Sequence, residues 1–321
     1  MLGKFGAPQV KELFFDLKGI ERQAFEYSEA QIKQNVYISA EEHDFEEEVY
    51  GRVVVDSGEN HTAKPRIVQL FHDDDKPWEA LFRLNLILDC IGNLPTRTIR
   101  TGNKRLEVSL DEQAMYPVLT DFYKKDTHKR IDPDATIDPK FLRLRGGKSV
   151  RIDKTAKVWG PCFLGPWVQI RHSGGLNGHV IIGDGESFAD AKSGYSGMGG
   201  LIAYGVVARG SIIRAGTQIL GFTDVAYSII GKNCHIGSHV AIEHKNARER
   251  DKIVIRKYNG GPINPIPTGR TKLGLIAGDG VEIRPGAIFR PGTILLPGCK
   301  VTRPGVYEGI YSPDGVYPLA L

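Results

Sequence analysis

The chain has 321 residues, 41% hydrophobic and 25% charged, the profile of a protein that folds around a core. A net charge of +4 over this length is mild, and argues against a nucleic-acid or membrane-surface partner. No signal peptide and no apolar run of transmembrane length are read in it, so the expected compartment is the cytoplasm.

Residues 1–130 carry the texture of a small α+β domain. Lys11 to Leu17 is a short apolar run, expected to form a strand or an anchoring segment. Asn35 to Ile38 and Val49 to Val55 cluster β-branched residues and read as strands, joined by an acidic connection from Glu41 to Glu48. Pro77 then opens a helix from Trp78 to Ile91, with a broad apolar face and Gly92 to end it. Arg97 to Leu110 reads as a strand pair turning at Gly102 and Asn103, and Asp111 can cap a short helix through Tyr116. No glycine-rich phosphate loop follows a strand here.

From residue 131 onward the texture changes. Ile131 to Thr136 and Ile137 to Pro139 look like lead-in hexads, followed by a break through Arg143 to Gly147. A six-residue beat then sets in: Ile152, Val158, Leu164, Ile170, Leu176, Ile182 and Phe188. It restarts at Leu201, Val207, Ile213, Ile219 and Val225, continues at Ile230, Ile236 and Ile242, and resumes from Ala277 to Val301. Small residues recur four positions on, among them Ala156, Cys162, Thr217, Thr223, Cys234 and Thr293. Such a period predicts a parallel β-helix, each hexad being one short strand plus a corner, with about seven coils over about residues 150–305 in a domain that runs from 131 to 321.

Two stretches interrupt the beat. Ser193 to Gly200 is rich in Gly and Ser and reads as a looped insertion. Glu243 to Lys272 is longer, contains a strand from Lys252 to Tyr258 and an Asn259-Gly260 hairpin turn, and carries eight basic residues. Such an arm can reach over a neighbouring surface and bring positive charge to an anion. The four cysteines show no metal spacing, and Cys162, Cys234 and Cys299 occupy the small position, which marks them as core filler.

Four segments resemble one family: Ser211 to Gln218, Tyr227 to Asn233, Pro267 to Gly274 and Ala277 to Ile283. They are similar to the left-handed β-helical domain of the N-acetylglucosamine-1-phosphate uridyltransferase/glucosamine-1-phosphate acetyltransferase family. The resemblance spans about Val158 to Gly305 and is specific in its last hundred residues. It implies a left-handed parallel β-helix, a homotrimer with sites between adjacent β-helices, and acetyl-CoA or CoA used with a sugar phosphate or sugar nucleotide. The family's uridyltransferase half has no counterpart here.

The family's catalytic positions are altered in this chain. The run that opens with the family's His base reads Gly221-Phe222-Thr223-Asp224-Val225-Ala226-Tyr227, so Gly221 replaces the base and Asp224 stands where an aromatic hydroxyl belongs. By the same alignment Asn177 takes the place of a substrate Arg, Arg209 that of a Lys, and His235 and His244 those of two asparagines. Lys272 matches a basic residue beside the end of the arm. The candidate catalytic residues are therefore His235, His244 and Asp224, since histidine titrates near working pH. The candidate substrate contacts are Arg209, Arg270, Lys272 and Asn177. His235 and His239 stand across a corner rather than on a helix, so their spacing implies no metal. Three readings follow: a transferase with a site rebuilt for another acceptor, a catalytically inactive ligand sensor, or a structural trimer.

Overall fold

The computed structural model describes residues 6–15, 17, 25–27, 66–92, 96–101, 104–109, 136–137, 142–144, 151–152, 155–159, 162–165, 168–171, 173–177, 179–183, 200–203, 205–248, 251–316 and 318. The expected strands at 35–38 and 49–55, the helix after Asp111, the insertion from Ser193, Phe188 and His172 lie outside these residues.

The described part is mostly β, built from parallel sheets with few helices. From Thr136 onward the strands fall in rotation into three sheets. A first sheet takes Thr136–Ile137, Lys157–Trp159, Gly175–Asn177, Val207–Arg209, Asp224–Ala226, Ala241–Ile242, Ala287–Phe289 and Gly305–Tyr307. A second runs from Leu142–Leu144 to Ile310–Tyr311, and a third from Arg151–Ile152 to Lys300–Val301. Leaving aside the two strands of the arm, each strand from Lys157–Trp159 onward pairs in parallel with the strand three before it, as Asp224 does with Val207. This order is compatible with a parallel β-helix. Its first described strand, Thr136–Ile137, falls in the expected lead-in hexads, and it runs on through the expected break, where Leu142–Leu144 pairs with Cys162–Leu164.

Alternation along the strands separates two hydrophobic clusters. In the second sheet Leu164, Ile182, Ile213, Ile230, Ala277 and Leu295 enter one cluster, while Phe163, Ile181, Ile212, Ile229, Ile276 and Ile294 enter the other. Leaving any one of these outward side chains in water would cost about 1.5–3 kcal/mol, so this face has to be covered. The N-terminal residues cover it. Val10, Leu13, Phe14, Leu70, Phe71 and Trp78 share the outer cluster with Leu81, Leu84, Ile87 and Leu88 of the helix Ala80–Gly92. That helix follows a single 3-10 turn, Pro77–Glu79, and matches the helix expected over 78–91. The strand pair Thr96–Thr101 and Lys104–Ser109 is also as expected, whereas the run from Lys11 holds a four-residue helix, Val10–Leu13, and an extended anchor.

One part of the beat is out of frame. Leu201 and Val207 fit steps of six toward Ile213, yet Ile202 and Ala208 are the buried residues and Val207 is 38% exposed. The step from Ala208 to Ile213 is five residues, and a one-residue shift sends every side chain to the other face. The small corner positions behave as expected and add hydrogen bonds. Thr217 Oγ1 donates to Gly231 O at 2.5 Å and accepts from Cys234 N at 3.1 Å, and Thr223 Oγ1 joins Gly237 O and Val240 N in the same way. Cys162, Cys234 and Cys299 are buried, and burial pushes all three thiols up to about 12. A disulfide reagent at pH 8 is therefore expected to gain at least three reactive thiols, those of Cys162, Cys234 and Cys299, when denaturant is added. Labelling of these three in the folded protein would contradict the packing.

The arm packs on its own chain. Val254–Tyr258 and Gly261–Pro267 form a hairpin whose turn residues, Asn259 and Gly260, both have positive φ. Tyr258 pairs in parallel with Ile310, so the hairpin extends the second sheet past its last strand and covers an open edge. The Asn259 side chain accepts from Ser312 N and donates to Ser312 Oγ, both at 2.8 Å. No helix among the described residues is long and apolar enough to cross a membrane.

Candidate functional site

The two ends of the arm meet beside the first sheet. Lys245 and Lys272 form an antiparallel bridge, and Leu273 N donates to His244 O at 2.9 Å. The returning chain then passes so close to the preceding coil that a Cβ on Gly274 would lie 2.3 Å from Ala226 O and from Ser228 Oγ. Only glycine fits there, and it fixes the position of Lys272.

This junction gathers a compact group. The His244 ring lies 5.3 Å from the Tyr227 ring at 34°, and Lys272 Nζ sits 5.2 Å from the Tyr227 ring centre and 3.4 Å from its hydroxyl. Arg209 Nη2 donates to Asp224 Oδ2 at 3.0 Å on the adjoining strands. That pair is open to solvent and contributes little stability of its own. Arg209 Nε, by contrast, is buried with no acceptor among the described residues.

His244 is half-buried, and its pKa lies below the ordinary histidine value. Burial is the main cause and the Arg209 guanidinium the next; Asp224 opposes them, and Lys245 and Lys272 act with them. The imidazole is therefore held neutral near pH 7. Neither of its ring nitrogens bonds to a described residue, which leaves a basic nitrogen beside three cations.

The expected site residues separate. His244, Asp224, Arg209 and Lys272 come together. Asn177 follows Leu176, which pairs with Ala208, and so lies one strand from Arg209 on the same exposed face. Arg270 is buried rather than open to a substrate: its Nε donates to Lys272 O at 2.9 Å and its guanidinium lies 4.4 Å from the Phe82 ring centre. Burial lowers its pKa to about 10, so it remains charged and supports Lys272 from behind. His235 is on the third sheet between Gln218 and Glu282, away from this junction.

Tyr227, Phe222 and Lys245 were not singled out as site residues from sequence. A self-alignment at 17 residues finds the first two, since Tyr227 follows Gly210 and precedes His244 by that interval, and Phe222 stands likewise between Gly205 and His239. Among the described residues no cluster of His, Cys, Asp and Glu could hold a metal ion. A scan of family models finds no match to the chain, and no curated protein matches it.

Proposed function

We propose that this chain is an acyltransferase-like protein that acts on a phosphate-bearing sugar, with a site rebuilt around His244. The observation that carries the reading is the neutral, half-buried His244 ringed by Arg209, Lys245 and Lys272. In this reading the three sheets close into a left-handed parallel β-helix, and copies pack side by side as a homotrimer through the first and third sheets, because the second is covered by its own chain. The donor is acetyl-CoA or a related thioester. His244 takes the proton from the acceptor amine or hydroxyl as that group attacks the thioester carbonyl, and the CoA thiolate leaves with a proton. Lys245, Lys272 and the Arg209 guanidinium hold the acceptor's phosphate, Asn177 contacts the ligand from the next strand, and Asp224 keeps Arg209 in place. His235 has no part in this step.

A second reading rests on Gly221, which cannot take a proton where the resembling family keeps its base. The chain is then an inactive trimer that binds a phosphate-bearing ligand or serves as a rigid structural element. CoA release measured with acetyl-CoA and a panel of amino and hydroxyl sugar phosphates decides between the two. Turnover of one acceptor, with glucosamine-1-phosphate left untouched, is the expected result. Silence on every acceptor gives the second reading, and rapid turnover of glucosamine-1-phosphate removes the rebuilt site.

A further inference from the structure

Phe222 occupies the corner that leads into Asp224–Ala226 and His239 the equivalent corner before the next strand, Ala241–Ile242, at the end of these strands opposite Tyr227 and His244. Both have positive φ, 59° and 58°, a conformation in which a bulky residue is rare. The corner does not require a side chain. One coil earlier it is Gly205 (φ 68°) and further along Gly286 (φ 82°), residues that adopt this backbone without strain. The chain nevertheless places a phenyl ring there, 57% exposed, with the imidazole 5.2 Å away at 32°. The phenyl ring also lies against Gly205, whose missing Cβ would stand 3.0 Å from Phe222 Cδ1. Thr155 (φ 66°) and Ser173 (φ 57°) hold the same backbone at this corner without a ring, so the exposed ring pair, rather than the backbone alone, is what points to a ligand.

The surroundings limit what those rings can bind. Phe222 is two residues, about 7 Å along a strand, from Asp224 and its partner Arg209. Val207, exposed and paired with Asp224, gives an apolar floor between the ring and the cations. A ligand spanning this face meets a flat aromatic surface at one end and positive charge at the other.

We infer that Phe222 and His239 form a stacking platform for the base of a nucleoside phosphate whose phosphates lie toward Arg209 and Lys272. The inference rests on the reading of the cationic junction given above and adds the class of ligand. Adenine of a CoA-type donor and uracil of a sugar nucleotide share this chemistry, because every base has a π-face.

Calorimetric titration of the full chain with pyrophosphate, ADP, UDP and CoA tests it. ADP or UDP is expected to bind more tightly than pyrophosphate. Phe222→Gly should weaken the base-bearing ligand roughly 5- to 150-fold, the range that loss of one base–aromatic stack gives, and leave pyrophosphate unchanged. Gly205 and Gly286 show that glycine suits this corner, so the variant should fold, and Phe222→Tyr should keep the affinity. Preference for CoA over UDP assigns the adenine source, and the reverse assigns the sugar nucleotide. Equal affinity for pyrophosphate and the nucleotides, or an equal loss of both in Phe222→Gly, overturns the platform and leaves the cationic junction standing. No binding of pyrophosphate or any nucleotide overturns both.

Discussion

Replacing Asp279 by alanine is expected to lower the unfolding free energy by about 3–5 kcal/mol, the cost of stranding a buried charge. The charge is that of Arg214, 2% exposed, whose Nη1 lies 2.5 Å from Asp279 Oδ1. The carboxylate also accepts from Lys232 N at 2.7 Å and from Phe15 N at 2.7 Å, while Arg214 Nη2 donates to Phe15 O at 2.9 Å. One carboxylate thus joins two coils and the N-terminal segment, so its loss should also release that segment to protease. Denaturant titration of Asp279→Ala beside Asp74→Ala measures the effect. Asp74 pairs with Lys11 in full solvent and its loss should leave the midpoint where it was. Equal midpoints for the two variants would show that the buried pair does not anchor the N-terminal segment.

His244→Ala is expected to reduce acyl transfer by about 10²–10⁴-fold, the usual contribution of a general base, whereas His235→Ala leaves it unchanged. The pH profile supplies a readout that damage to the fold does not mimic. The folded-state pKa of His244 lies below the ordinary 6.5, so activity should hold at pH 6.5 and fall only as pH drops through the depressed value. Arg209→Ala removes the second-largest cause of the depression and frees Asp224, so the acid limb should move up toward 6.5. Stability follows the same sign. The unfolded histidine gains its proton near 6.5 and the folded one resists until lower pH, so this contribution is present above 6.5 and is lost as pH falls through the folded value. An acid limb that stays in place in Arg209→Ala would remove His244 as the base.

Why some of this was legible in the sequence and some not is a matter of range. Ile152, Leu164, Ile170 and Ile182 are buried as the six-residue beat predicts, because each is set by its own strand and corner. Val207 misled because both frames around it are apolar, and only pairing with Asp224 shows which faces outward. The gathering of His244 and Arg209 was partly readable, since residues 17 or 18 apart on successive strands of one sheet become neighbours and two such steps join them, whereas Lys272 is placed by the return of the arm. The burial of Arg270 was not, because it depends on Phe82, nearly two hundred residues earlier in the chain. The docking of the arm depends likewise on Ile310 and Ser312.

The hairpin at the end of the second sheet bears on how far that sheet can grow. A stack of parallel strands offers at its last turn the same hydrogen-bonding groups that its interior uses, and so invites addition of another chain end to end. Tyr258 and Asn259 occupy those groups on the second sheet, and in the core beside the last strands Phe289 stacks on Tyr307, which meets Tyr311 edge-on. The element that brings Lys272 to His244 thus also covers the edge of the second sheet. Shortening the arm is expected to displace Lys272 and to uncover that edge together, because one segment holds both.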